Sequence, residues 1–529
     1  MSPSEVESSQ RSHKLLKSSA VTGSMTMASR VMGLIRDIVF AKFVGAGADA
    51  DAFYVAFKIP NFLRRLFAEG AFSQAFVPVL SEYRTQGSRA AVQELINRVA
   101  GCLGSILLVV TIFAVLASPL VTAVFAMGFV ADAYKFELTS QFLRITFPYL
   151  FLISMTGFAG AILNSYGRFA VPAMTPVLLN VCLIVTAVVV SPYFDPPALG
   201  LAWGVLAAGV AQLMFQLPFL LKLKLMPTPV IDWKHEGVKR ILTLMLPAIF
   251  GVSVSQINLL IDTILATFLP TGSVTWLYFS DRLSELPLGV FGIAIATVIL
   301  PTLSRQHSAS SPQHFSATLD WALRMIFLVA VPAAVALFIL AEPILMTLFQ
   351  SGKMTVHDIT MASFSLRAYT LGLLAFMLIK VLAPGYFARQ DTKTPVKIGI
   401  IAMVSNMILN IALVLPLMRY EVGHMGLALA TSLSAFINAG LLFLGLRKAG
   451  VFKPQSGWLK FSLILGVASL VMALVLIVFM QVWVAWADWS IWQRCYHLLA
   501  VCAAGMASYL IALFVFGLRI KDMRSPHPG

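Results

Sequence analysis

The chain has 529 residues, 59% hydrophobic and only 12% charged, with a formal net charge of +15. Soluble domains carry roughly a quarter charged residues, so this composition excludes an ordinary water-soluble enzyme and points to a chain built for lipid. The four cysteines and eight histidines have no metal-ligand spacing and there is no P-loop, so zinc chemistry and ATP hydrolysis find no supporting residues.

A membrane-spanning helix needs roughly 20 mainly apolar residues. In chain order, the apolar pattern predicts helices over 18–44, 49–82, 96–127, 137–165, 172–192, 196–224 and 237–268. It continues over 273–304, 315–349, 358–388, 394–418, 422–448, 457–485 and 492–518. The polar, basic start leads into a segment carrying Arg30 and Arg36, so the first helix is not a cleavable signal peptide. With the N-terminus placed in the cytoplasm, one side of the membrane collects most loop cations, among them Arg84, Arg89, Lys222, Lys239, Arg305, Lys393, Arg447 and Lys453. The other side has only Lys135, Lys353, Arg419 and Arg494. That asymmetry predicts two cytoplasmic termini and an even helix count, and it accounts for the net charge without nucleic acid.

The chain also repeats itself. Pro119, Phe125 and Gly128 in P-x5-F-x2-G are answered by Pro343, Phe349 and Gly352. Leu143-Arg144 is answered by Leu366-Arg367, and Pro78-x-Leu80-Ser81 by Pro301-x-Leu303-Ser304, all at offsets of 223 or 224. The expected fold is an all-α polytopic membrane protein with about fourteen transmembrane helices: two six-helix lobes related as parallel repeats, plus two extra C-terminal helices. Its expected divisions are a cytoplasmic tail 1–17, an N-lobe 18–224, a linker 225–236, a C-lobe 237–448, helices 13 and 14 over 449–518, and a tail 519–529. Transporters of this kind hold substrate between their lobes.

A charged side chain at the bilayer centre costs about 2.5–3.5 kcal/mol on insertion scales, so it marks a cavity or a partner. Helix 1 carries Arg30, Arg36 and Asp37; helix 2 carries Lys58, Asn61, Arg64, Arg65 and Glu69; helix 8 carries Asp281, Arg282 and Glu285. At about 100° per residue, Lys58, Asn61, Arg65 and Glu69 form one stripe. A bend at Gly33 would aim both arginines of helix 1 inward. Asp37, Glu69 and Glu285 could neutralise some of these cations internally. The arginine surplus suits a diphosphate, whose oxygens match the guanidinium fork. A second group, Asp262 on helix 7, Asn406 and Asn410 on helix 11 and Thr431 on helix 12, offers hard oxygen ligands for an alkali cation. Its alternative is hydrogen bonding between helices.

The block S-R-V-M-G-L-I-R-D from Ser29 to Asp37 resembles that of the MurJ/MviN family. So do D-A-F-Y-V-A-F-K-I-P-N-F-L-R-R-L-F-A-E-G-A-F-S-Q-A-F-V-P from Asp51 to Pro78 and the stretch around Asp281-Arg282. The resemblance spans essentially the whole chain. It implies a non-enzymatic flippase of the multidrug/oligosaccharidyl-lipid/polysaccharide exporter superfamily, resident in the bacterial inner membrane. Such proteins carry lipid II, the undecaprenyl-diphosphate-linked peptidoglycan precursor, to the periplasmic leaflet by alternating access. The family's cavity arginines would fall on Arg30, Arg36, Arg64 and Arg282, and its other functional positions on Asp51, Lys58, Asn61, Arg65 and Glu69. Helices 13 and 14 would form a groove for the lipid tail. The sodium site of some members would fall on Asp262, Asn406, Asn410, Thr431 and a carbonyl near Leu427, with Asn410 in place of an acid. No cofactor is expected beyond Na+ or H+ as coupling ion. The expected partners are lipid II, membrane lipids and other cell-wall synthesis proteins. The competing readings are a flippase for another polyprenyl-diphosphate glycan and a drug/cation antiporter of the same superfamily.

Overall fold

The computed structural model describes residues 3–309, 311–482 and 486–519, without the side chains of 3–22, 67–69, 250–252, 254, 255, 293 and 297. All regular structure among the described residues is helical. The chain packs as two units that meet in sequence at Thr271 and Gly272.

The first unit begins with α1 (Pro3–Phe43), α2 (Ala48–Leu63), a π-helical segment Arg64–Phe72 and α3 (Ser73–Gln86). It continues with α4 (Arg89–Leu116), α5 (Ser118–Phe125), α6 (Ala133–Thr146), α7 (Pro148–Ser165), α8 (Ala170–Val185), α9 (Pro197–Lys222) and α10 (Glu236–Ala266). α1 is helical throughout Pro3–Phe43, Gly33 included. α10 opens the second sequence repeat, yet it packs in the first unit against the π segment and α3. Packing and duplication therefore cut the chain at different places.

The second unit comprises α11 (Ser273–Pro287), a π segment Leu288–Gly292, α12 (Ile293–Ser308), α13 (Pro312–Ile339), α14 (Ala341–Phe349) and α15 (Val356–Phe387). α16 (Lys393–Met418), α17 (Gly423–Lys448), α18 (Trp458–Val482) and α19 (Ile491–Val515) complete it. From α2 to α9 and from α11 to α17 the elements follow the same order. The π segments start at Arg64 and Leu288, α4 and α13 at Arg89 and Pro312, α8 and α16 at Ala170 and Lys393.

Among the described residues eleven helical stretches are long and apolar enough to cross a membrane, so this is a multi-pass membrane protein. Three further long stretches, α1, α2–α3 and α10, are compatible with the fourteen expected; they carry Arg30, Arg36, Lys58, Arg64, Arg65 and Asp262. Lipid-facing surface explains the many exposed apolar side chains. On α18, Leu459, Leu463, Leu470, Leu474 and Val478 point outward, while Phe461, Leu465, Ala468, Met472 and Leu476 are buried. Each unit has its own core: Phe76, Leu95, Phe158 and Ile162 belong to the first, Leu319, Ile326, Leu373 and Leu442 to the second.

Polar anchors fix the ends. Asp320, almost fully buried on α13, accepts from Arg324 Nε (2.8 Å), the Gln455 backbone N–H (3.0 Å) and Trp458 Nε1 (2.7 Å). It thereby pins the segment that leads into α18. Arg494 at the start of α19 donates to the carbonyls of Met346, Gln350 and Ala487. Two of these buried guanidinium bonds go to backbone oxygens at the C-terminal end of α14, and the third to the turn before α19.

Candidate functional site

The sequence concentrates charge on the α2–π–α3 stretch, and a proline lies four residues upstream of the π segment. Pro60 has no N–H to return to the Ala56 carbonyl, so the ladder is broken inside α2. Thr146 Oγ1 on α6 donates to that carbonyl at 3.3 Å. A neighbouring hydroxyl thus satisfies a group that would otherwise be orphaned in hydrocarbon. Segments of this kind recur at functional positions, and this one opens with Arg64 and Arg65.

Local hydrogen bonds set these side chains. Asn61 Nδ2 donates to the Phe57 carbonyl (2.8 Å), leaving Asn61 Oδ1 to accept from Arg64 Nε (3.3 Å). Arg64 is half-buried and Arg65 exposed. Lys58 Nζ reaches Thr263 Oγ1 on α10 at 3.4 Å, and Asp51 is buried near the start of α2. The Glu69 side chain lies outside the described residues.

On α1, Arg36 turns into the unit and is only 4% exposed. Its Nε and Nη2 donate to Asp37 Oδ1 (3.0 and 2.7 Å), and its Nη1 to Asn180 Oδ1 on α8 (3.0 Å). Asn180 Nδ2 donates on to the Ser29 carbonyl (3.0 Å), so one amide ties two points of α1. Arg30 is half-buried one turn and a half earlier. In the second unit Arg282 meets Glu285 at 3.5 Å, both well exposed, with its guanidinium over the Tyr278 ring; Asp281 is half-buried beside it. The internal pairing weighed from sequence is thus present at Asp37 and at Glu285.

Beside Arg64 and Arg65 the first unit holds a cavity of about 480 Å³ reaching between α7, α8 and α9. Its wall carries Tyr149, Thr175, Gln212 and Gln216, which the charge-based reading passed over. The signal was available, since two amides one turn apart in the apolar α9 are as unusual as a charge.

The second cluster divides between the units. Asn406 and Asn410 on α16 are fully buried: Asn410 Nδ2 donates to Asn406 Oδ1 (2.7 Å), and Asn406 Nδ2 to Thr431 Oγ1 and Ser434 Oγ (both 3.3 Å). Thr431 Oγ1 donates to the Leu427 carbonyl at 3.0 Å. These five residues form one chain of neutral oxygens and amides across α16 and α17. Asp262 is half-buried on α10 in the first unit.

The profile of the family described as "Lipid II flippase MurJ" matches residues 40–496. The chain belongs to this family. A relative in Vibrio cholerae, described as "Probable lipid II flippase MurJ", is 51% identical over 97% of this chain and 98% of its own. The lipid II flippase MurJ of Burkholderia cenocepacia is 44% identical over 87% of this chain and 89% of its own. Among solved structures, a lipid II flippase MurJ in an inward closed conformation superposes with a TM-score of 0.78 at 27% identity, covering 94% of this chain and 98% of that one. An inward-facing multidrug transporter of the MATE family, in the MOP superfamily, gives 0.66 at 16% identity over 82% of this chain and 98% of that one, a likeness of fold. The family is one of transporters, not of enzymes.

Proposed function

We propose that this protein moves lipid II from the cytoplasmic to the periplasmic leaflet of the bacterial inner membrane by alternating access, with both termini in the cytoplasm. The observation that carries the reading is the family match over residues 40–496, in a chain whose intramembrane charge is mainly arginine on a π-helical break. Arg64 and Arg65 supply guanidinium forks for the diphosphate, and Arg282 is the further arginine that the family resemblance assigns to it. Arg30 adds a cation on α1. Arg36, held by Asp37 and Asn180, keeps α1 and α8 in register and reaches substrate when that pair opens. Lys58, Asn61, Glu69, Asp51, Asp281 and Glu285 complete the polar lining. The outward apolar faces of α18 and α19 accommodate the polyprenyl tail. Reconstitution into liposomes with labelled lipid II tests this: the protein is expected to expose lipid II in the opposite leaflet, and no acceleration over empty liposomes refutes it. Another polyprenyl-diphosphate glycan flipped in preference would establish the second reading.

Coupling to a monovalent ion is part of the proposal. Neutral oxygens of Asn406, Asn410, Thr431 and the Leu427 carbonyl have the hardness Na+ prefers; alternatively, Asp262 carries a proton. Transport by Asp262→Asn and by Asn406→Ala across sodium concentration and pH separates the two. Sodium-independent transport in the parent removes the sodium form, and a pH dependence lost with Asp262→Asn supports the proton.

A further inference from the structure

The cavity between α7, α8 and α9 has a wall whose hydrogen-bond polarity can be assigned atom by atom. Thr175 Oγ1 donates to the Val171 carbonyl, so it can only accept from Gln216, which fixes Gln216 Nε2 on it at 3.0 Å. Gln212 Nε2 donates to the Thr175 carbonyl at 2.9 Å, which fixes its Oε1 as the acceptor for Tyr149 OH at 3.3 Å. Both amides are thereby locked. Gln216, 1% exposed, is left with an Oε1 that no donor among the described residues meets. Gly160 also lines the cavity, and a Cβ there would lie 3.7 Å from this oxygen, so a glycine keeps the approach open.

The fold does not require this polarity. By the matched starts of α8 and α16 and of α9 and α17, Thr175, Gln212 and Gln216 correspond to Ile398, Asn438 and Leu442, and Ile398 and Leu442 are buried apolar core in the second unit. At those two positions the first unit therefore keeps a hydrogen-bonding wall where its twin packs hydrocarbon. Among the described residues two arginines and no carboxylate line the cavity, and about 480 Å³ is within the range of small-molecule sites. The charge is also polarised: cations sit on the π segment, and a lone acceptor sits on α9.

We propose that this cavity is the subsite for the sugar attached to the diphosphate, the phosphates lying at Arg64 and Arg65 and a hydroxyl or acetamido N–H donating to Gln216 Oε1. The assignment rests on the lipid II reading above and adds to it where the glycan goes. A hydrocarbon tail would leave the Gln216 oxygen buried without a donor, and a phosphate would be repelled by it. A sugar supplies donors and tolerates the apolar rings of Pro172 and Pro176 on its carbon face.

The test uses the full-length protein in nanodiscs and two ligands, lipid II and undecaprenyl diphosphate, which lacks sugar. Gln216→Met is expected to weaken lipid II binding about tenfold, since a site built around one hydrogen bond loses it, and to leave undecaprenyl diphosphate binding unchanged. Arg64→Ala weakens both. A second variant, Thr175→Ile with Gln216→Leu, copies the packing of the second unit and is expected to show the same selective loss if Gln216→Met fails to fold. Equal weakening of both lipids, or no weakening of lipid II, in a variant that keeps the parental melting temperature overturns the subsite while leaving the flippase reading intact. A parent that binds neither lipid overturns the flippase reading, and the subsite with it.

Discussion

The crossing of α7 with α9 and that of α15 with α17 are the same point of the repeat built in two ways. In the first unit Tyr149 on α7 faces Gly209 on α9, where a Cβ would come within 2.8 Å of the ring. At the same offset the second unit has Gly372 facing Ser432, where a Cβ would meet the serine oxygen at 2.5 Å. Ser432 Oγ donates across this contact to the Ala368 carbonyl at 2.7 Å. Small residues let the second pair of helices close on each other. A tyrosine fills that place in the first pair and carries a hydroxyl to Gln212. The backbone is duplicated and the chemistry is not. The two π segments teach the same lesson: one opens on Arg64-Arg65, the other on Leu288-Gly289. Where the halves agree they report what the fold needs; where they differ they report what the first unit does.

The largest effect should come from removing the chemistry that only the first unit has. Arg64→Ala is expected to abolish complementation of a flippase-depleted strain while the protein still inserts. Arg64→Lys should lower flipping about ten- to a hundredfold, because a point charge replaces bidentate bonds worth about 1.5–3 kcal/mol. Full activity of the lysine variant would show that the fork is not used.

Next comes an anchor that the second unit has for its two extra helices. Asp320→Ala leaves Arg324 and the Trp458 indole without their buried acceptor and should cost about 3 kcal/mol. The expected readout is faster proteolysis between 449 and 457 and a red-shifted tryptophan emission. An unchanged melting curve and cleavage pattern would show that α18 docks by apolar contact alone.

A double-mutant cycle sharpens the account of the π segment. Thr146→Val orphans the Ala56 carbonyl and should cost about 1–3 kcal/mol in thermal unfolding. In a Pro60→Ala background, where an N–H returns to Ala56, the same change should cost almost nothing. Equal costs in both backgrounds would separate the break from the proline.

The smallest effect is expected at Asp391, in the loop before α16. Its carboxyl sits below the usual carboxylate range because the Thr394 hydroxyl and backbone N–H bond the charged form. A folded-state pKa below the unfolded one contributes stability above the unfolded value of about 3.9 and loses it as pH falls through the folded value. Asp391→Asn should therefore flatten the acid limb of the stability curve slightly below about pH 4, and an identical acid limb would remove this contribution.

The long helices, the repeat and the concentration of charge on α1, α2 and α11 all follow from the sequence, because hydropathy reports which solvent a segment meets and a buried charge is rare enough to stand out. The family resemblance could be read from two blocks for the same reason. Neutral polar residues were harder to rank. Asn180, Gln212 and Gln216 look alike in a one-dimensional pattern. Only the packing shows that Asn180 closes on Arg36, that Gln212 closes on Tyr149, and that Gln216 retains an acceptor.

By itself the sequence determined that this chain folds in lipid as a doubled helical bundle with arginines on its membrane-length helices. Periodicity fixes which face of a helix avoids hydrocarbon, and an offset fixes which helices are twins. The tertiary structure alone decided that α10 packs with the first unit, that Arg36 is paired rather than open, and that one of the two helix crossings is filled by a tyrosine. Those outcomes depend on how each helix is rotated and how closely its neighbour can approach.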